Sequence, residues 1–89
     1  MPHDAATPIE LGRAIQRARE DAGLTQAELA QSANVSRRWL IEVERGHDNA
    51  QVGKVMALLH HLGLTLQVVP HDLPSGHSEL DDIVEATLR

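Results

Sequence analysis

The chain has 89 residues, with 8 Lys and Arg against 13 Asp and Glu, 6 His and no Cys, for a formal net charge of −5. That length supports one small domain, with a modest core of its own or one shared with a second subunit. Without cysteine there is neither a disulfide framework nor a thiolate metal site; no apolar run approaches a membrane span and no signal peptide leads the chain, so a cytoplasmic location is expected.

Residues 1 to 6 are small and polar and read as a disordered lead. Thr7-Pro8-Ile9-Glu10 has the form of a capping box with proline at the favoured first position, which predicts a helix over 8 to 22 that stops at Gly23. Leu11, Ile15, Ala18 and Ala22 line its inner face; Arg13, Arg17 and Glu20 fall outside. Thr25 with Glu28 forms a second capping box. It starts a helix with Leu29 and Ala30 inward and Gln26 at the exposed N-terminal end, where a polar side chain reaches a phosphate with help from the helix dipole.

Ala33-Asn34-Val35 is a tight turn, because asparagine tolerates the left-handed backbone that a sharp reversal needs and valine plugs the angle between helices. Ser36 is the N-cap of the next helix. Arg37 and Arg38 take its first exposed positions, where a helix-turn-helix reader meets base edges, and the planar guanidinium pairs bidentately with guanine. Leu40 and Val43 form the inner stripe, and Glu42 shares the outward face with Arg38, accepting from cytosine or holding the arginine in place. Arg45-Gly46 supplies a basic last turn and a stop. Trp39 either packs under the helix or wedges toward DNA.

A polar loop at 47 to 49 precedes a fourth helix over 50 to 62, with Asp48 or Asn49 as cap, Val52, Val55, Met56, Leu59 and Leu62 inward, and Gly63 as its end. LTLQVV at 64 to 69 then alternates apolar and polar at first, ended by Pro70. One strand leaves its backbone donors and acceptors unpaired, so two subunits pairing it across a two-fold axis is the economical solution. Leu64, Leu66 and Val68 share one face, Val69 the other, and Gln67 supplies a ladder donor. A fifth short helix or an extended tail packed on its own domain is the alternative.

SELDDIVEATLR at 78 to 89 places Leu80, Ile83, Val84 and Leu88 on one face of a potential short helix capped by Ser78. It folds into a partner's groove, packs on its own dimer, or stays a solvated acidic end. The charge is segregated: seven of the eight basic residues lie between Arg13 and Lys54, while 71 to 89 holds five acidic residues and one arginine. DNA affinity then rests on a local basic face from Arg37, Arg38, Arg45 and Lys54, and is modest and salt-sensitive.

GLTQAELA at 23 to 30, VSRRWLIEVERG at 35 to 46 and the preceding arginine-rich helix resemble the lambda-repressor-like, Xre-type helix-turn-helix family over residues 11 to 62. The resemblance implies a mainly α fold. It is a compact four- to five-helix domain over 7 to 63, a short dimerisation strand over 64 to 70 pairing across a homodimer, and an acidic tail over 71 to 89. It places Thr25, Gln26, Ser36, Arg37, Arg38, Glu42 and Arg45 at the DNA, with Gln26 on phosphate, and makes Arg19 and Glu44 a partly buried structural salt bridge. The run ERGHDNAQVGKVMALLHHLGLTLQVVP looks like the Hip-type antitoxin branch, which implies a palindromic operator read in the major groove, repression of its own operon, and a Hip-type serine/threonine kinase toxin as partner.

No metal site or cofactor is expected. Adjacent His60 and His61 point about 100° apart on a helix and the other histidines are scattered. The acids fall on solvated faces, no nucleophile motif or phosphate loop is present, and the chain reads as a non-enzyme. Against the repressor stands one other class, a protein-interaction module that keeps the fold, has lost DNA reading, and acts through its acidic tail; a stand-alone regulator without a toxin is a variant of the first.

Overall fold

The first helix, α1 (Pro8–Asp21), begins where the Thr7 hydroxyl accepts the Glu10 backbone N–H at 3.1 Å. The computed structural model describes residues 4–70. The expected tail helix at 78 to 89, the acidic end, residues 1 to 3 of the lead and His3, His71 and His77 lie outside the described residues. The Thr7 box is half formed: Glu10 Oε1 accepts from the Thr7 hydroxyl at 3.0 Å and not from the backbone. Helix α2 (Gln26–Ala33) has the full reciprocal box, with Thr25 Oγ1 accepting from Glu28 N at 3.0 Å and Glu28 Oε1 from Thr25 N at 2.8 Å. Helix α3 (Arg37–Glu44) starts with Ser36 Oγ accepting the Trp39 N–H at 3.0 Å, and α4 (Val52–His61) completes the set.

All four helices among the described residues end in the same way. A left-handed residue follows the C-cap or, after α2, is the C-cap itself, and the next N–H reaches back five residues: Leu24 to Arg19, Val35 to Ala30, His47 to Glu42 and Leu64 to Leu59. Asn34, at φ 57°, is the non-glycine among them, and it makes the sharp turn between α2 and α3.

Ile15, Leu29, Leu40 and Leu58, one from each helix, are fully buried and meet in one core with Ala30, Ala33, Val43, Val55 and Leu59. Burying each large side chain stabilises by about 1.5–3 kcal/mol. Helix α1 lies across the C-terminal half of α3 at very short range. A Cβ on Gly12 would fall 2.6 Å from the Glu44 carbonyl oxygen and closer still to that of Val43. At Gly46 (φ 91°) a Cβ would lie 2.8 Å from Cα of Ile9, so the end of α3 is seated against the start of α1.

Three expectations are corrected. Helix α4 starts at Val52 with Gln51 as N-cap and no side-chain cap bond, so neither Asp48 nor Asn49 caps it. Ala50 is drawn against the core and the chain stays extended through Gln51. The buried stripe of α4 is Val55, Leu58 and Leu59 with Leu62 packed beside it, whereas Val52 is 64% and Met56 50% exposed. Ala22 is exposed rather than inward, because α1 has already ended beneath it. The dimerisation strand expected over 64–70 needs a second chain; in the single chain these residues have no regular secondary structure, and Leu64, Leu66, Val68 and Val69 are all exposed.

Candidate nucleic-acid interface

Helix α3 divides its eight residues between two tasks. Leu40 and Val43 are buried in the core, while Arg37 and Arg38 are exposed at its capped N-terminus. Arg38 Nε stands 3.6 Å from Glu42 Oε1, with the Arg38 side chain 90% exposed. An exposed i,i+4 pair of this kind is worth only about 0–1 kcal/mol, so little holds Arg38 back from another acceptor. Trp39 is half-buried and packs against the core, and the Lys54 ammonium sits 5.7 Å from its ring centroid, within cation–π range. Of the two placements expected for Trp39, the structure has the packed one.

Beneath α3 lies a buried ion pair. Arg19 Nε donates to Glu44 Oε2 at 2.8 Å and Nη2 to Glu44 Oε1 at 3.2 Å, while Nη1 donates to the Leu24 carbonyl at 2.9 Å. The side chains are 10% and 4% exposed. The bond to Glu44 is the main reason the Arg19 pKa is raised above its already high ordinary value, opposed by burial. No buried side-chain polar atom among the described residues lacks a partner.

Gln26 joins this network. Its Nε2 donates to Glu44 Oε1 at 3.2 Å, which commits one of its two amide hydrogens inward and leaves the other for the exterior. The first residue of α2 is thereby oriented by an acid at the end of α3. Thr25 is spent on the cap, and its backbone N–H, followed by its hydroxyl, holds the Glu28 carboxyl below its ordinary pKa. Ser36 is likewise spent on its cap, and Arg45 is the exposed C-cap of α3.

Gln16, Gln26, Arg37, Ile41, Glu44 and Arg45 line one open depression, to which α1, the start of α2, α3 and its C-cap each contribute. Gln16 and Gly12 were not singled out from the sequence. The signal was present, since Gly12, Gln16 and Arg19 fall in one i, i+4, i+7 row of α1. The positions expected at a dimer strand, Leu64, Leu66, Gln67, Val68 and Val69, are exposed. Among the described residues there is no group of three or more potential metal ligands, and no helix is long and apolar enough to cross a membrane.

Comparison with known proteins places this geometry. Residues 10–71 match the family described as "Helix-turn-helix domain". An uncharacterized HTH-type transcriptional regulator, y4mF, of Sinorhizobium fredii is 35% identical over 63 residues, which span 71% of this chain and 83% of that protein. A HipB–O2 20mer complex contains a chain of the same fold at TM-score 0.74 and 24% identity, covering 81% of this chain and all of that one. A HipA-HipB-O2-O3 complex contains another, at TM-score 0.70 and 23% identity, covering 78% and 97%.

Proposed function

The chain belongs to the helix-turn-helix domain family of transcriptional regulators, and we propose that it is a cytoplasmic, sequence-specific DNA-binding repressor that works as a homodimer on a palindromic operator. One observation carries this reading. Arg37 and Arg38 stand exposed at the capped start of α3 while the rest of that helix is held by the core and by the Arg19–Glu44 pair. Two arginines that contribute little to the fold, Arg38 through a weak exposed pair with Glu42, suit the major groove, and each bidentate contact to guanine gives about 1–3 kcal/mol of discrimination. Glu42 beside them accepts from cytosine or restrains Arg38. Gln26, with one hydrogen directed outward, suits a backbone phosphate, and Arg45 adds positive charge at the far end of α3.

Dimerisation through 64 to 70 is part of the proposal. Leu64 and Leu66, exposed in the single chain, gain cover if the segment pairs with its copy across a two-fold axis. Within this reading the chain is an autoregulating antitoxin whose second partner is a Hip-type serine/threonine kinase toxin. Support comes from the likeness of fold to the HipB chain in a HipA-HipB-O2-O3 complex.

The test is a fluorescence-anisotropy titration against a duplex from immediately upstream of the gene, with scrambled competitor, at two salt concentrations. Saturable binding that survives the competitor is expected, with at least a tenfold loss in the protein carrying Arg37→Ala and Arg38→Ala. Unchanged affinity in that variant overturns the base-reading assignment. Co-purification with a kinase-like protein encoded beside the gene tests the antitoxin reading separately.

A further inference from the structure

We propose that Gln16, on α1 and outside the helix-turn-helix, is a further contact to the DNA backbone, donating its side-chain amide to a phosphate seated in the depression it shares with Gln26, Arg37 and Arg45. The inference rests on the DNA-binding reading above.

The depression is built for an anion on three counts. First, its polar rim comes from three helices: Gln16 from α1, Gln26 from α2, and Arg37 and Arg45 from the two ends of α3. All four carry N–H donors, and two carry a permanent positive charge. Second, the acid that lines it is already matched. Glu44 takes two bonds from Arg19 and one from Gln26, so its charge is balanced from beneath and does not repel an incoming anion. Third, Gln16 is exposed, lines the depression and lies one helical turn before Arg19 on the same α1 face, so binding there needs no rearrangement of the core.

The occupant is a DNA phosphodiester because of where the depression lies. Arg37, the first residue of α3, lines it, and so does Gln26, the first residue of α2. When the start of α3 enters the major groove, the strand bordering that groove passes over the start of α2, and the neighbouring rim is Gln16. A phosphate contact fixes register and carries no base information, so Gln16 contributes alike to every sequence.

The test uses the full-length protein with Gln16→Lys and Gln16→Glu, titrated by anisotropy against the upstream duplex and against a random duplex over a series of salt concentrations. An added cation on a phosphate steepens the dependence of log K on log salt by about 0.9 per half-site, or about threefold in affinity between 50 and 200 mM. Gln16→Lys is therefore expected to steepen the slope on both duplexes equally, and Gln16→Glu to weaken both. The gain from lysine should vanish when one phosphate per half-site is replaced by a neutral methylphosphonate. If the parent protein binds the upstream duplex but the two Gln16 variants leave its affinity and salt slope unchanged, the contact is refuted while the repressor reading stands. If the lysine effect appears on the upstream duplex alone, Gln16 reads bases and the phosphate assignment is wrong. If the parent binds neither duplex, the DNA-binding reading itself fails and takes this contact with it.

Discussion

Replacing Arg19 with methionine strips Glu44 of its bidentate partner while keeping most of the side-chain volume. Two charged bonds to Glu44 disappear, the Leu24 carbonyl loses its donor, and a carboxylate that is 4% exposed is left with the Gln26 amide alone. Breaking one side of a buried pair costs about 3–5 kcal/mol. A folded unit of this size has a total stability of about 3–9 kcal/mol, so Arg19→Met should leave the protein marginal. Adding Glu44→Leu removes the stranded charge and should restore most of the loss, since an apolar pair of similar volume often replaces a buried ion pair without penalty. Urea denaturation of the parent, the single and the double variant at pH 7 reads both effects. A single substitution costing less than about 1 kcal/mol, or a double one costing as much as the single, would refute the account of Arg19–Glu44 as a matched buried pair.

Further expectations concern the backbone and the caps. Gly12→Val drives a β-branched side chain into the carbonyls of Val43 and Glu44, and should lower stability by at least about 2 kcal/mol despite the better helix propensity of valine; an unchanged thermal midpoint would mean that α1 and α3 separate freely. Asn34→Ala should cost about 1 kcal/mol at φ 57° while Asn34→Gly stays near neutral, and equal stabilities in urea would contradict the left-handed turn. Glu28 has a folded pKa below its ordinary 4.5, so its cap is present in full above that value and is lost as pH falls through the folded one; amide exchange in the first turn of α2 should accelerate over that acid range, and a flat profile would contradict the reciprocal cap.

What could be read from the chain was what depends on neighbours a few residues away. The Thr25–Glu28 box, the Ser36 cap and the Asn34 turn are relations of one to three positions, and each chemical requirement selects few residue types. Val52 and Met56, expected on the inward face of α4, are exposed because VGKVMALLHHL is apolar on most sides, and the phase of such a helix is set by what it packs against. Gly12 escaped notice because a glycine inside a helix looks merely unfavourable until another backbone is placed on it. The inward turn of the Gln26 amide depends on Glu44, eighteen residues away, and no local pattern encodes it. Pairing of 64 to 70 needs a second chain, which a single sequence only implies.

The division of α3 has an evolutionary consequence. Its position is held by the Ser36 cap, the Asn34 turn, the Gly46 stop on Ile9, and the buried Leu40, Val43 and Glu44. Arg37 and Arg38, with Glu42 between surface and core, contribute little to that hold. Substitutions at these outward positions are therefore free to drift, and a duplicated copy could acquire a new operator preference without first crossing a valley of unfolded intermediates. The same separation makes α3 a cassette for deliberate retargeting, in which only the outward residues are randomised.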